Sequence, residues 1–218
     1  MKLLAVGDLH GRWEPMWEAL EEEGPELVLS CGDWGDPGEV SEEDFARLTS
    51  RTYLLTVFGN HDDLELLPLV RNRDGSPVLL GRGEVRDVMG LKIAGISGIW
   101  AKSHRKPWYI TDEEVAQIAD SLGGREVDIL ITHGCPVGLA DLTPSGRHGG
   151  QRCFLDAFRT ISPKVHLCGH LHRKSIRLLK SGAVVANVGY GAEGDFLLLF
   201  VREDNIYIGH EVVVSLLR

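Results

Sequence analysis

Short apolar runs, each followed by a turn of small and polar residues, recur along the first third of the chain. Three of them lie at residues 2–6, 26–30 and 53–58. Their apolar positions are nearly continuous rather than alternating, which is typical of strands buried on both faces of a sheet. Helix-like segments separate them, and the first begins near Trp13, with Pro15 in its first turn. This alternation of strands and helices predicts an α/β fold.

The rest of the chain continues the pattern with more strands and two further helices. Two apolar runs joined at Gly90 predict a hairpin. Thr111 and Glu114 have the spacing of a capping box, so we expect a helix that begins there and ends near Ser121. Another helix is expected at about 151–159, and further strands at 127–132, 164–167, 175–179, 183–188, 196–201 and 206–214. The sequence has no obvious linker, so we expect a single domain over residues 1–218.

The pattern breaks down between residues 98 and 110, where Trp100, His104, Lys106 and Trp108 lie close together in sequence. Two interpretations are open. The segment is either a loop whose rings pack on the domain, or a wall of a binding site in which rings stack on a base and cations meet phosphate.

Composition and charge exclude several classes of protein. Of the 218 residues, 43% are hydrophobic and 25% are charged, which is typical of globular proteins. A formal charge of -9 argues against nonspecific binding to nucleic acid or to an anionic membrane. The apolar run at residues 196–201 is far short of the ~20 residues of a membrane span, and the N-terminus lacks the apolar core of a signal peptide. The four cysteines form no C-x-x-C pair and are expected to be reduced. We therefore expect a cytoplasmic protein; the sequence does not indicate an oligomeric state.

Side chains that bind metals follow five of the predicted strands. Such strand ends meet at one edge of an open α/β sheet, so these side chains are expected to converge. Each short motif alone is weak, but burying so many polar groups without partners would cost several kcal/mol per group, and metal ligation removes that cost. The residues concerned are Asp8, His10, Asp33, Asn60, His61, His133, His170 and His172.

The order of these motifs resembles the calcineurin-like metallophosphoesterase superfamily. The resemblance is carried by Gly7-Asp8-Leu9-His10-Gly11, Gly32-Asp33-Trp34-Gly35-Asp36, Gly59-Asn60-His61-Asp62, Thr132-His133-Gly134 and Gly169-His170-Leu171-His172. It implies a β-sandwich flanked by helices, with a two-metal hydrolytic centre at the carboxyl ends of the strands. By the same resemblance, Asp8, His10 and His172 hold one metal, Asn60, His133 and His170 hold the other, and Asp33 bridges them.

The implied ligand set also makes chemical sense. Imidazole and carboxylate ligands suit Mn, Fe, Zn or Ni, and a shared carboxylate lets two divalent ions lie about 3.5–4 Å apart. Such a pair lowers the pKa of a bridging water, so that hydroxide can attack phosphorus at neutral pH. The expected cofactor is therefore two divalent metal ions.

The resemblance also implies a proton donor for the leaving group. That donor is His61, and Asp36 is the carboxylate that supports its charged form. The alternative is that His61 only binds a phosphate oxygen. Asp62 has no assigned role, and a carboxylate that caps a helix would explain it equally well.

Departures from the family pattern bear on the substrate. Protein serine/threonine phosphatases have an arginine after the position of Asp36, but this chain has Pro37, so that class is disfavoured. Residues 133–172 resemble small metallophosphoesterase-domain proteins associated with cyclic-nucleotide phosphodiester hydrolysis. In this stretch Arg147 and His148 are candidate substrate contacts, although an exposed turn is an equal interpretation.

The predicted function is hydrolysis of a phosphodiester bond in a small nucleotide, cyclic nucleotides included. Phosphomonoesterase activity on small metabolites is the alternative enzyme function. A noncatalytic scaffold on the same fold is a second alternative, although retention of every ligand and of His61 argues against it. A third is a regulatory zinc-binding module, which would hold one zinc tightly and show no turnover. A thiolate zinc site at Cys31, Cys135 and Cys168 is a further alternative, against which small buried cysteines that pack under the turns are the favoured interpretation.

Overall fold

A computed structural model describes residues 1–203, 205–208 and 212–216. The strands are β1 (Lys2–Val6), β2 (Leu27–Ser30), β3 (Tyr53–Thr56), β4 (Val85–Val88), β5 (Leu91–Ile96), β6 (Ile99–Trp100), β7 (Tyr109–Ile110), β8 (Ile129–Thr132), β9 (Val165–Cys168), β10 (Ser175–Leu178), β11 (Val184–Asn187), β12 (Leu197–Arg202), β13 (Asn205–Ile208) and β14 (Val212–Ser215). The helices are α1 (Glu14–Glu23), α2 (Glu42–Thr49), α3 (Asp112–Leu122) and α4 (Arg152–Ile161), with 3₁₀ turns at Leu67–Leu69 and Gly191–Glu193.

Two six-stranded sheets contain all of these strands except β6 and β7, which pair with each other. The first sheet has the order β14-β13-β12-β1-β2-β3, and the second has the order β10-β11-β9-β8-β5-β4. In the first sheet β1, β2 and β3 run parallel. In the second, β5, β8, β9 and β11 run parallel. The loops that contain the predicted ligands follow the carboxyl ends of five of these seven strands, β1, β2, β3, β8 and β9.

The two sheets face each other across a shared hydrophobic core. Leu29 of β2 and Ile131 of β8 belong to this shared core and are completely buried. The outer face of the first sheet packs against α1 and α2, where Phe45 is buried. The outer face of the second sheet packs against α3 and α4, where Phe154 is buried. This confirms the α/β class and the predicted β-sandwich flanked by helices.

Local sequence explains where the helices begin and end. Thr111 accepts a hydrogen bond from Glu114 N–H at the start of α3, and the Glu114 side chain accepts from Thr111 N–H, so the predicted capping box is confirmed. Ser41 and Asp44 form a second capping box at the start of α2. At the other end of α1, Gly24 adopts a left-handed conformation that ends the helix.

Two segments differ from or refine the sequence prediction. The strand expected at 206–214 is instead two antiparallel strands, β13 and β14, and residues 209–211 of that prediction lie outside the described residues. In the 98–110 segment, Trp100 Nε1 donates to Asp112 Oδ1 at 2.9 Å, so this ring packs against the first turn of α3. Of the helices that the structure describes, none is long and apolar enough to cross a bilayer.

Candidate metal centre

Five loops bring the predicted ligands to one edge of the sandwich. Asp8 and His10 follow β1, Asp33 follows β2, and Asn60 follows β3. In the second sheet His133 follows β8, while His170 and His172 follow β9. The loops are fixed to one another by backbone hydrogen bonds, such as Asp8 N–H to Gly32 O at 2.9 Å and Gly169 N–H to His133 O at 3.0 Å.

Asp8 lies at the centre of one group of side chains. Its carboxylate is completely buried and accepts hydrogen bonds from the His170 N–H at 3.0 and 3.1 Å. His172 Nε2 lies 3.3 Å from Asp8 Oδ1, and His10 Nε2 lies 3.3 Å from His172 Nε2. The predicted ligands Asp8, His10 and His172 are therefore adjacent.

Asp33 connects this group to a second one. Asp33 Oδ2 lies 3.8 Å from His10 Nε2 and 3.4 Å from His133 Nε2. His133 is completely buried, donates from Nδ1 to the Cys31 carbonyl at 2.8 Å, and has Nε2 3.3 Å from Asn60 Oδ1. The rings of His133 and His170 are 5.0 Å apart. Asp33 thus occupies the position between the two groups that a bridging ligand requires.

The backbone is left-handed at most of the predicted metal ligands. Among the described residues, nine that are not glycine have positive φ, and five of the nine are predicted ligands. These are Asp8 (55°), His10 (46°), Asp33 (59°), His170 (67°) and His172 (50°). Residues with side chains rarely adopt this conformation, and such strain concentrates at functional sites. The backbone geometry therefore marks the same residues independently of their chemistry.

Glycines let the loops approach each other closely. A Cβ added at Gly59 would lie 2.2 Å from Asp33 Oδ1 and 2.5 Å from the His133 ring. A Cβ at Gly169 would lie 2.6 Å from Asp8 Oδ2. None of these three distances is sterically possible, so both positions require glycine for the ligands to reach their places.

Asp62 holds two of these loops together from behind the ligands. Its Oδ2 accepts hydrogen bonds from the N–H groups of Asp33 at 2.8 Å and Gly59 at 2.7 Å, and its Oδ1 accepts from Trp34 N–H at 2.8 Å. Burial and the nearby charge of Asp33 raise its pKa to about 7. The interpretation of Asp62 as a helix cap is wrong, because all three donors belong to the motif loops.

The buried imidazoles and carboxylates shift one another's pKa. Burial, reinforced by His133, lowers the pKa of His170 to about 4. Burial acts to lower the pKa of His133, but Asp33 and Asp8 outweigh it and raise that pKa. Burial acts to raise the pKa of Asp33, but His133 and the His61 N–H outweigh it and lower that pKa. The carboxylates that stabilise a proton on His133 would stabilise a bound cation in the same way.

His61 lies beside this cluster and contacts Asp36. Its Nδ1 is 3.2 Å from both carboxylate oxygens of Asp36. Its backbone N–H donates to Asp33 Oδ1 at 2.8 Å, and its ring is 4.9 Å from the ring of His10. Both His61 and Asp36 are partly exposed, which leaves the imidazole accessible to a bound molecule.

The side chains fit divalent cations. Three sets each place their ligand atoms within 4.8 Å of one another, and Asp33 and His10 each belong to two of them. The donors are imidazole nitrogens and carboxylate oxygens, which suit Mn, Fe, Zn and Ni. The three sets are Asp8, His10 and His172; His10, Asp33 and His61; and Asp33, His133 and His170.

The family of the chain follows from its sequence. A model of calcineurin-like phosphoesterases matches residues 1–174. The chain belongs to that family. This phosphoesterase is accordingly a metal-dependent hydrolase of phosphoester bonds, as the resemblance of its motifs predicted.

Solved structures share the fold of this phosphoesterase at low sequence identity. A dimetal phosphatase from Danio rerio superposes with a TM-score of 0.61 at 10% identity, over 100% of this chain and 96% of the other. GAP50 of Plasmodium, the anchor in the inner membrane complex, gives 0.59 at 12% identity, over 99% and 88%. Vps29 from Entamoeba histolytica, complexed with zinc, gives 0.51 at 15% identity, over 98% and 96%. A search of curated proteins finds no significant match.

Sequence reasoning missed two side chains at the rim of the site. The ring of Tyr190, in the loop after β11, stacks on His172 with centroids 4.2 Å apart. Arg12 donates from Nη2 to the Tyr190 hydroxyl at 2.7 Å. Arg12 directly follows the motif at residues 7–11, and this position next to two predicted ligands was a signal in the sequence that could have identified it as a candidate site residue. Tyr190 lies 18 residues beyond His172, and no local signal marks it.

The remaining sequence candidates lie in defined places. Arg147 is exposed, and His148 Nδ1 is 2.8 Å from the buried carboxylate of Asp141. Cys31 and Cys168 are completely buried, and Cys135 donates to the Gly169 carbonyl at 3.1 Å. Among the described residues, no cysteine belongs to a set that could hold a metal. The cysteines pack beneath the turns, which argues against a thiolate zinc site.

Proposed function

We propose that this phosphoesterase hydrolyses a phosphodiester bond of a small nucleotide, cyclic nucleotides included, at a centre of two divalent cations. The observation that carries the proposal is the convergence of the predicted ligands around the buried carboxylates of Asp8 and Asp33. Asp8, His10 and His172 would hold one cation, Asn60, His133 and His170 would hold the other, and Asp33 would bridge them. When bound, the pair supplies a water of lowered pKa for attack on phosphorus and neutralises charge on the phosphoryl oxygens.

In this proposal His61 gives a proton to the leaving oxygen. Its Nδ1–H donates to the Asp36 carboxylate, so Nε2 is the atom that transfers the proton. The negative charge of Asp36 stabilises the imidazolium form. The partial exposure of both side chains lets a substrate reach Nε2.

The preference for a nucleotide diester rests on the sequence pattern and on the surface near the site. Pro37 stands where protein phosphatases have a phosphate-binding arginine, which disfavours a phosphoprotein substrate. Arg147 and His148 stay predicted contacts of the substrate, because Arg147 is exposed and the His148 ring is oriented by Asp141. We also expect the enzyme to act in the cytoplasm.

Metal reconstitution with two reporter substrates tests the proposal. The metal-free protein is loaded with Mn, Fe, Zn or Ni, the metal content per chain is measured, and hydrolysis of bis(p-nitrophenyl) phosphate and p-nitrophenyl phosphate is followed. Two metals per chain with faster diester hydrolysis support the proposal. Faster monoester hydrolysis would favour a phosphomonoesterase, and two bound metals without any hydrolysis would favour a scaffold.

Replacing the predicted bridging carboxylate gives a sharper test. Asp33→Ala is expected to lose at least one metal per chain and nearly all activity, because Asp33 lies between His10 and His133. Asp156→Ala is the matched control, since that carboxylate is exposed and pairs with Arg152 on α4. Full metal content in Asp33→Ala, measured by atomic emission, would contradict the ligand assignment.

The proton-donor role predicts a dependence on the leaving group. His61→Ala is expected to keep its metals and to slow hydrolysis of an alkyl or phenyl ester by about 10²- to 10⁴-fold, and of a p-nitrophenyl ester much less. The reason is that p-nitrophenolate leaves without protonation. Equal effects on both esters would exclude the role, and loss of metal would instead make His61 a ligand with His10 and Asp33.

A further inference from the structure

Arg12 and Tyr190 form a contact at the rim of the metal centre although they are 178 positions apart in sequence. Arg12 lies two residues after His10, and Tyr190 lies three residues after the end of β11. The loop that carries Tyr190 is fixed to the first motif, since Gly191 N–H donates to Gly7 O at 3.0 Å. The Tyr190 N–H also donates to Asp195 Oδ2 at 3.0 Å. The tyrosine is therefore held in a defined position.

Tyr190 contacts two of the predicted ligands. Its ring stacks on the imidazole of His172 with an angle of 13° between the ring planes and 4.2 Å between centroids. It also meets the edge of the His10 ring at 5.9 Å. Its hydroxyl accepts the hydrogen bond from Arg12 Nη2, and the Arg12 guanidinium carbon lies 5.5 Å from the ring centroid.

The Arg12 guanidinium has no acidic partner in the described part of the chain, where no carboxylate lies within 4.0 Å of it. Yet the chain has 32 acidic side chains against 23 basic ones. The side chain is exposed, and a single hydrogen bond to Tyr190 occupies only one of its five donors. An arginine held in this way presents its other donors to an anion.

His10 is a neighbour both of Tyr190 and of the predicted proton donor, His61. The His10 ring is 4.9 Å from the His61 ring and 5.9 Å from the Tyr190 ring. A phosphoryl group bound over His10 would therefore lie near His61 and near the tyrosine that holds Arg12.

We propose that Arg12 binds an anionic, nonbridging phosphate oxygen of the substrate, and that Tyr190 is the positioning residue that holds Arg12 there. The proposal rests on the proposed phosphoesterase function, for which it supplies a phosphate-binding group from the protein itself. Arg12 lies inside the 1–174 region that matches the family, whereas Tyr190 lies outside it.

Binding of inorganic phosphate tests the role of Arg12 without requiring turnover. The Kd of phosphate is measured by calorimetry on the Mn-loaded wild type, Arg12→Gln and Arg51→Gln. Arg12→Gln is expected to weaken phosphate binding by about tenfold to a hundredfold with unchanged metal content, because a charge-assisted hydrogen bond is lost. Arg51 is a matched control, an exposed arginine that lies over Trp17 on the flank of the first sheet. An unchanged Kd in Arg12→Gln would overturn the proposal.

Kinetics of Arg12 and Tyr190 variants distinguish a positioning role of Tyr190 from general damage to the structure. Arg12→Gln is expected to raise KM about as much as it raises the phosphate Kd, and guanidinium ion added to Arg12→Ala is expected to restore part of the activity. Tyr190→Phe keeps the stacking on His172 but removes the acceptor for Arg12, so a smaller rise in KM is expected. The double variant should then match Arg12→Gln alone, because the hydroxyl acts only through the guanidinium.

Other outcomes decide between failure of this proposal and failure of the proposed function. Additive effects of the two substitutions would overturn the pairing of Arg12 with Tyr190, and no rescue by guanidinium would overturn the role of the Arg12 guanidinium in binding the substrate. A wild type that binds two metals and phosphate but hydrolyses neither reporter would refute the proposed function, while the calorimetric comparison would still decide whether Arg12 binds phosphate.

Discussion

His166 is a buried histidine outside the metal centre, and its burial makes the stability of the fold sensitive to acid. It lies on β9 and is completely buried against α4, with its ring stacked on Phe158 at 5.8 Å. Its Nε2 donates to Thr132 Oγ1 at 2.8 Å, and that hydroxyl donates to the Gly134 carbonyl at 2.6 Å. Its Nδ1 has no hydrogen-bond partner among the described residues. With no counter-charge beside it, burial lowers the pKa of His166 to about 3.

The size of the effect follows from the two pKa values. In the unfolded chain histidine titrates near pH 6.5, whereas folded His166 stays neutral down to about pH 3. Between these values the unfolded state binds more protons, so the free energy of unfolding falls as the pH falls, by up to about 1.4 kcal/mol per pH unit. The contribution is fully present above pH 6.5, and from pH 8 to pH 5 the loss is about 2 kcal/mol.

Urea unfolding of His166→Gln against wild type at pH 8, 6 and 5 measures this contribution. Glutamine keeps an N–H that can reach Thr132 but does not titrate, so the stability difference between the two proteins should shrink by about 2 kcal/mol from pH 8 to pH 5. EDTA in every sample keeps metal loss out of the comparison. The control is Phe158→Leu, which removes the stacking but keeps His166, and should lower stability by a similar amount at each pH.

A stability difference between wild type and His166→Gln that stays constant from pH 8 to pH 5 would refute the reasoning. It would mean that His166 binds its proton equally in the folded and unfolded states. The same result would contradict the conclusion that burial of His166 lowers its pKa in the folded protein.

Two further predictions concern the residues that hold the loops of the site. Gly59→Ala is expected to fold but to lose metal binding, because its Cβ would lie 2.2 Å from Asp33 Oδ1; normal metal content by atomic emission would contradict the steric argument. Asp62→Asn is expected to lower the free energy of unfolding at pH 8 by about 1–3 kcal/mol, because an amide N–H₂ then faces a backbone donor of the motif loops. Unchanged urea unfolding would show that those N–H groups do not need the second oxygen.

Most of the fold could be predicted from local pattern. Continuous apolar runs indicated buried parallel strands, and β1, β2, β3, β8 and β9 are such strands. Because parallel strands share the direction of their carboxyl ends, the positions of the motifs along the chain already implied that they meet. The split of the last predicted run into β13 and β14 was missed, although Gly209, His210 and Glu211 interrupt the apolar residues of that run.

The contacts that sequence reasoning missed depend on pairing between distant strands. Tyr190 reaches His172 only because β11 lies beside β9 in the second sheet, with Asn187 opposite Cys168. Asp62 reaches Trp34 because β3 pairs with β2. The residues immediately before and after Tyr190 and Asp62 contain no pattern from which these two contacts could be predicted.

Five predicted ligands have a left-handed backbone, which lowers the stability of the fold while placing the side chains that activity requires. A side chain in that conformation costs about 1 kcal/mol or more, and glycine avoids the steric part of this cost. Replacing such a ligand with glycine would relax the loop while removing a donor to the metal. In a lineage that is no longer selected for catalysis, substitution of these residues by glycine could therefore increase the stability of the fold. A lineage that depends on the reaction must keep the ligands and the conformational strain of their loops.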